Sequence, residues 1–81
     1  DVIPEGRLLI MWNRDVPGVI GEVATVLGAH NVNIAFGSYG RDVPGGLAVM
    51  VYVLDSDIEE STVDTLRKLK NLHTVKYARL A

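Results

Sequence analysis

Asp15 and Gly18 stand close together in the stretch "NRDVPG", at the head of a helical pattern. One carboxylate beside a proline–glycine pair ahead of a helical pattern can hold both ends of a small zwitterion. Pro17 falls at or just before the first helical turn, where a missing N–H costs nothing. Gly18 lets the backbone approach a ligand closely. The N–H groups around Gly18, Val19 and Ile20 carry the positive end of a helix dipole and suit a carboxylate. Asp15 beside them suits an ammonium group. On the residues alone, capping the helix is the plainer role for Asp15, and a bond to nearby backbone at a strand start is the plainer role for Asn33.

The pentapeptide "RDVPG" occurs twice, at residues 14–18 and 41–45. The first copy runs into a helical rhythm. The second runs into Gly46 and an apolar stretch, and reads as a turn: Pro44 fixes φ, and the Gly45–Gly46 pair tolerates positive φ. Arg41 and Asp42 are then solvated loop charges. Context, not the letters, sets the role of each copy.

Other chemistry finds little support. The chain has no cysteine, which excludes disulfides and thiolate metal sites. His30 closes a helix and His73 sits in a loop, with no carboxylate or cysteine at ligand spacing, so no metal site is expected. Ser38 and Ser61 have no neighbouring base in sequence to activate them. The glycines never form G-x-G-x-x-G after a strand, so no dinucleotide site is expected. Trp12 is expected to pack in the core beside the first loop. The chain by itself is expected to be a binding module rather than an enzyme, with no cofactor of its own.

Residues 8–12, "LLIMW", form a short apolar run that reads as a buried strand. From Gly18, the residues Val19, Ile20, Val23, Val26 and Leu27 recur at helical spacing and predict an amphipathic helix of about three turns. Asn31 can take the left-handed conformation that ends it. Residues 32–39 alternate, with Val32, Ile34 and Phe36 on one side, and predict a second strand. A third strand spans residues 47–55. The second helix is expected to be capped by Ser56 or Asp57, with Glu59 or Glu60 three positions on. Its stripe is Val63, Leu66 and Leu69, and Arg67, Lys68 and Lys70 fall in its last turns. Residues 74–80 form a final edge strand carrying Lys76 and Arg79.

The order β-α-β-β-α-β predicts an α+β fold: a ferredoxin-like sandwich, four antiparallel strands in the order 4-1-3-2 with both helices on one face. Its 81 residues make one domain. Because residues 8–12 and 47–54 are apolar on both sides, the second sheet face is expected to be covered by another subunit or domain. The net charge of −2 and the scattered basic residues argue against nucleic acid. No apolar run reaches the roughly 20 residues of a membrane span. The lack of cysteine fits a reducing cytoplasm. The chain starts at Asp1 rather than Met, as a piece of a longer protein would.

The stretch "NRDVPGVIGEVATVLGAHNVNIA", with "GG" before a long third strand, resembles the signature of ACT domains, small βαββαβ modules that bind amino acids and regulate metabolic enzymes. Together with the opening "DVIPEGRLLI", it looks most like the regulatory domain of D-3-phosphoglycerate dehydrogenases. The resemblance implies an L-serine or related amino-acid ligand, and a site between two such domains whose edge strands join through strand two. It also implies catalytic domains elsewhere in a cytoplasmic parent, with NAD as their cofactor. Carried over by position, the ligand contacts fall on Asn13, Asp15 and Asn33, with loop backbone at Val16, Pro17, Gly18 and Val19. Similar modules occur in the beta chain of L-serine dehydratase, and the same fold can serve oligomerisation alone.

Overall fold

The computed structural model describes residues 6–41 and 46–80; most of the second pentapeptide lies outside the described residues. The elements are β1 (Gly6–Arg14), α1 (Val19–Ala29), β2 (Ile34–Arg41), β3 (Leu47–Leu54), α2 (Glu60–Arg67) and β4 (Leu72–Leu80). They form one antiparallel sheet in the order β2-β3-β1-β4, as the sequence pattern predicts.

The alternation of β1 and β3 sorts the sheet into two faces. Leu9 and Met11 of β1, with Met50, Tyr52 and Leu54 of β3, form a core with Val19, Val23 and Leu27 of α1 and Val63 and Leu66 of α2. The alternate set, Leu8, Ile10 and Trp12 paired with Val53, Val51 and Val49, faces the other way and is half-buried. Both faces of the central strands are therefore apolar, as expected. Trp12 lies on this outer face rather than in the core, with the Lys76 ammonium 5.8 Å from its ring centroid. The parity of the strand decides this: Met11 takes the inward position and its neighbour must point out.

Helix α1 buries Val19, Val23 and Leu27, but Ile20 is 51% exposed. One residue along a helix turns about 100°, which carries Ile20 off the stripe to which the sequence pattern assigns it. The helix ends as expected at Asn31, whose φ is 59°. The Val32 N–H then closes onto the Leu27 carbonyl at 2.9 Å, the pattern of a left-handed helix cap.

Two other expectations are corrected. Strand β2 starts at Ile34 and carries a bulge: Ile34 pairs with Leu54 and Phe36 with Val53, leaving Ala35 as the extra residue. The bulge flips the strand's parity, so Ile34 packs on the core while Phe36 is 62% exposed. Helix α2 has Glu59 as its N-cap, with no side-chain cap bond. Asp57 accepts from Arg7 Nε at 2.9 Å and from the Tyr77 hydroxyl at 2.8 Å, and lies 3.2 Å from Arg79 Nε. Charged donors on β1 and β4 outcompete a lone backbone N–H. Hydrogen bonding from Arg7, then Tyr77, holds the Asp57 carboxyl below the usual aspartate range. Arg67 does close the last turn of α2, but Lys68 and Lys70 lie beyond it.

Candidate functional site

The loop from β1 to α1 is pinned by consecutive backbone bonds. Arg14 N–H donates to Asn71 O at 2.9 Å, Asp15 N–H to Gly46 O at 2.8 Å, and Val16 N–H to Arg14 O at 2.9 Å. Gly18 is the N-cap, at φ 91°, and α1 has no side-chain cap bond, so capping is not the work of Asp15. The first intrahelical bond runs from Glu22 N–H to Gly18 O at 2.9 Å. The N–H groups ahead of Glu22 have no acceptor within the helix and present its positive end.

Asn13 sits at the end of β1, where pairing with β4 slips: Trp12 faces Thr74, but Asn13 faces Leu72. Alternation along β1 puts Asn13 on the inward side after Leu9 and Met11, and Asn13 is only 4% exposed. Its Nδ2 donates to Arg14 O at 2.7 Å, whereas its Oδ1 is sealed from solvent with no hydrogen-bond partner among the described residues. An acceptor buried in that state costs about 1–3 kcal/mol. Asn13 lines a cavity of about 260 Å³, together with Asp15, Val16, Val19, Tyr39 and Met50.

Tyr39 at this cavity has no signal in the sequence, since a tyrosine late in a strand reads as ordinary sheet packing. Its hydroxyl lies 3.0 Å from the Tyr52 hydroxyl, and the two rings meet edge-on, centroids 5.9 Å apart at 84°. Gly37 makes room for the pair, because a Cβ there would lie 3.0 Å from Tyr52 Cε1. Burial, then the bond to Tyr39, pushes the Tyr52 phenol well above its usual pKa and keeps it neutral.

Within one chain the structure brings Asn13, Asp15, Val16 and Val19 to the cavity, with Pro17 and Gly18 shaping the loop between them. Asn33 is elsewhere. Its Nδ2 donates to Asp55 Oδ2 at 2.8 Å, so the amide is not turned onto its own main chain. The register sets Ile34 beside Leu54 but Gly40 beside Val49, which puts Asn33 about 20 Å along the strand from the cavity at roughly 3.3 Å per residue. His30 Nδ1 lies 2.9 Å from Val26 O, a local contact. Among the described residues no group of His, Cys, Asp or Glu is placed to hold a metal ion, and no helix is long and apolar enough to cross a membrane.

The ACT domain family model matches residues 7–71, from β1 through α2 and including the whole first loop. The chain is an ACT domain. The ACT domain is 38% identical over 78 residues to D-3-phosphoglycerate dehydrogenase of Methanocaldococcus jannaschii, covering 96% of this chain and 15% of that protein. It is 40% identical over 76 residues to the chloroplastic D-3-phosphoglycerate dehydrogenase 3 of Arabidopsis thaliana, covering 94% of this chain and 12% of that protein. The chain thus spans about one-seventh of the length of these relatives. In fold it is similar to the crystal structure of the ACT domain from GTP pyrophosphokinase of Chlorobium tepidum. The TM-score is 0.69 at 16% identity, over 89% of this chain and 95% of that one. The family and fold expected from the sequence are both borne out.

Proposed function

We propose that this ACT domain is the regulatory part of a D-3-phosphoglycerate dehydrogenase and senses L-serine at the cavity beside α1. The observation that carries the reading is Asn13 on the wall of that cavity, its Oδ1 buried and without a hydrogen-bond partner among the described residues. An acceptor in that state gains from a donor, and an amino acid's ammonium group is a charged one. Asp15 adds opposite charge from the same wall. The ligand carboxylate goes to the N–H groups of Gly18, Val19 and Ile20 at the positive end of α1.

Asn33 enters through a second copy. Strand β2 is an edge of the sheet, and antiparallel pairing with β2 of another copy gives an eight-stranded sheet. It also sets the start of one β2 beside the end of the other, so Asn33 of the second copy approaches the cavity near Tyr39. A ligand held by both copies favours the paired state, which is the differential affinity that allostery requires. The relatives are dehydrogenases by name, which supports a dehydrogenase parent. In this reading its other domains hold NAD and carry the hydride chemistry in the cytoplasm, with pairing restraining their motion.

Titration calorimetry of the intact protein with L-serine tests the reading. Saturable binding that is lost in Asp15→Ala, with assembly intact by sedimentation, is the expected result. Assembly without binding of any amino acid would reduce the domain to an oligomerisation module.

A further inference from the structure

The outer face of the sheet takes no part in the cavity. Three rungs cross it, from Phe36 to Ala78, from Ser38 to Lys76 and from Gly40 to Thr74, with half-buried apolar residues of β1 and β3 between their ends. Among the described residues of these rungs Lys76 alone is charged, and its ammonium lies 5.8 Å from the Trp12 ring centroid. Phe36 and Leu47 stand on this face at 62% and 52% exposure. With strands about 4.8 Å apart and a rise of about 3.3 Å per residue, the face spans on the order of 500 Å². An exposed apolar patch of that size marks an interaction site.

We propose that this face stacks on the same face of a second β2-joined pair, making a joint of four ACT domains. The proposal rests on the β2 pairing put forward above, not on which ligand the cavity takes. Area is the first reason. One face of about 500 Å² falls short of the roughly 800 Å² per partner that a stable interface buries, whereas two faces joined through β2 give about 1,000 Å². A single domain is too small a platform, and a pair is sufficient. Charge distribution is the second reason. Pairing through β2 leaves β4 at both outer flanks, so Lys76 stays in water at the rim while Phe36 of each copy comes near the central seam. Apolar centre and polar rim are the anatomy of a protein interface. Charge of one sign at the rim gives an oppositely patterned partner nothing to match across the centre, whereas a second copy is complementary by symmetry.

Sedimentation equilibrium of the intact protein tests this with Phe36→Lys and Leu47→Lys. Both residues are more than half exposed, so their replacement spares the core. Leu47 lies beyond the last β2–β3 pair, Arg41 with Ala48, and cannot act on the β2 seam. Each variant is expected to halve the assembled mass while its L-serine titration matches that of the wild type. Unchanged mass in both variants would overturn the stack and leave amino-acid sensing standing. A loss confined to Phe36→Lys would put the effect at the β2 seam and overturn the stack as well. Halved mass in both variants, with no L-serine binding by the wild type, would support the stack and overturn the sensing reading.

Discussion

The Asn33 side chain donates to the Asp55 carboxylate at 2.8 Å, and the Asp55 backbone N–H returns to the Asn33 carbonyl at 3.0 Å. This reciprocal pair ties the approach to β2 to the end of β3. It fixes the amide by one N–H, and a side-chain amide has a second N–H and an oxygen to offer a ligand. Asp55→Ala removes a surface bond, so we expect it to change unfolding stability by no more than about 1 kcal/mol. Its larger effect is on the proposed site in the paired protein: L-serine affinity should drop several-fold while sedimentation still reports pairing.

Gly37 is a packing position, not a flexible one. A methyl group there meets the Tyr52 ring at 3.0 Å and the Tyr39 hydroxyl at 3.4 Å. Tyr52 is buried and has little room to give. Gly37→Ala should therefore cost about 1–3 kcal/mol in urea unfolding, the usual range for overpacking, and weaken amino-acid binding by displacing Tyr39.

The sequence carried the fold through periodicity. The continuous apolar runs of β1 and β3, the Val19–Val23–Leu27 spacing and Asn31 as a helix stop all correspond to structure found where expected. What it did not carry were outcomes decided by competition across the fold. Asp57 has the spacing of a helix cap, yet Arg7 and Tyr77, distant in sequence, bind its carboxylate. Phe36 alternates correctly with Ile34, yet a bulge at Ala35 turns it to the outer face. At the candidate site, Asp15 was legible from its place before "PG", and Asn13 only from the resemblance to ACT domains. The orphaned Asn13 oxygen depends on what packs around it in three dimensions, and Tyr39 joins the cavity only through sheet pairing.

Gly18 is held at φ 91°, and a Cβ there would meet nothing within 4 Å. Gly18→Ala thus isolates backbone strain from steric clash. We expect a loss of about 1–2 kcal/mol, the cost of a left-handed non-glycine residue, read from urea midpoints, and a weaker grip on the ligand carboxylate as the loop relaxes.

Asp57 predicts an acid limb in the stability profile. Arg7 and Tyr77 hold its folded-state pKa below the ordinary value, which is about 3.9 in an unfolded chain. The stabilisation is therefore complete above that unfolded value and is lost as pH falls through the lower, folded one. Asp57→Asn should be less stable than the wild type at neutral pH, with the gap closing under acid. Urea unfolding of both proteins from pH 7 down to about pH 2 checks the direction; a gap that widens in acid would contradict it.

The most direct measurement pairs stability and binding in Asn13→Leu. Leucine fills a similar volume and removes the unpartnered Oδ1, together with one hydrogen bond to Arg14 O. Relief of the buried acceptor offsets the lost bond, so stability should stay within about 1 kcal/mol of wild type. L-serine affinity in the intact protein should fall at least tenfold in titration calorimetry. Wild-type affinity for L-serine in a folded Asn13→Leu protein would contradict the assignment of Asn13 as the ligand's acceptor.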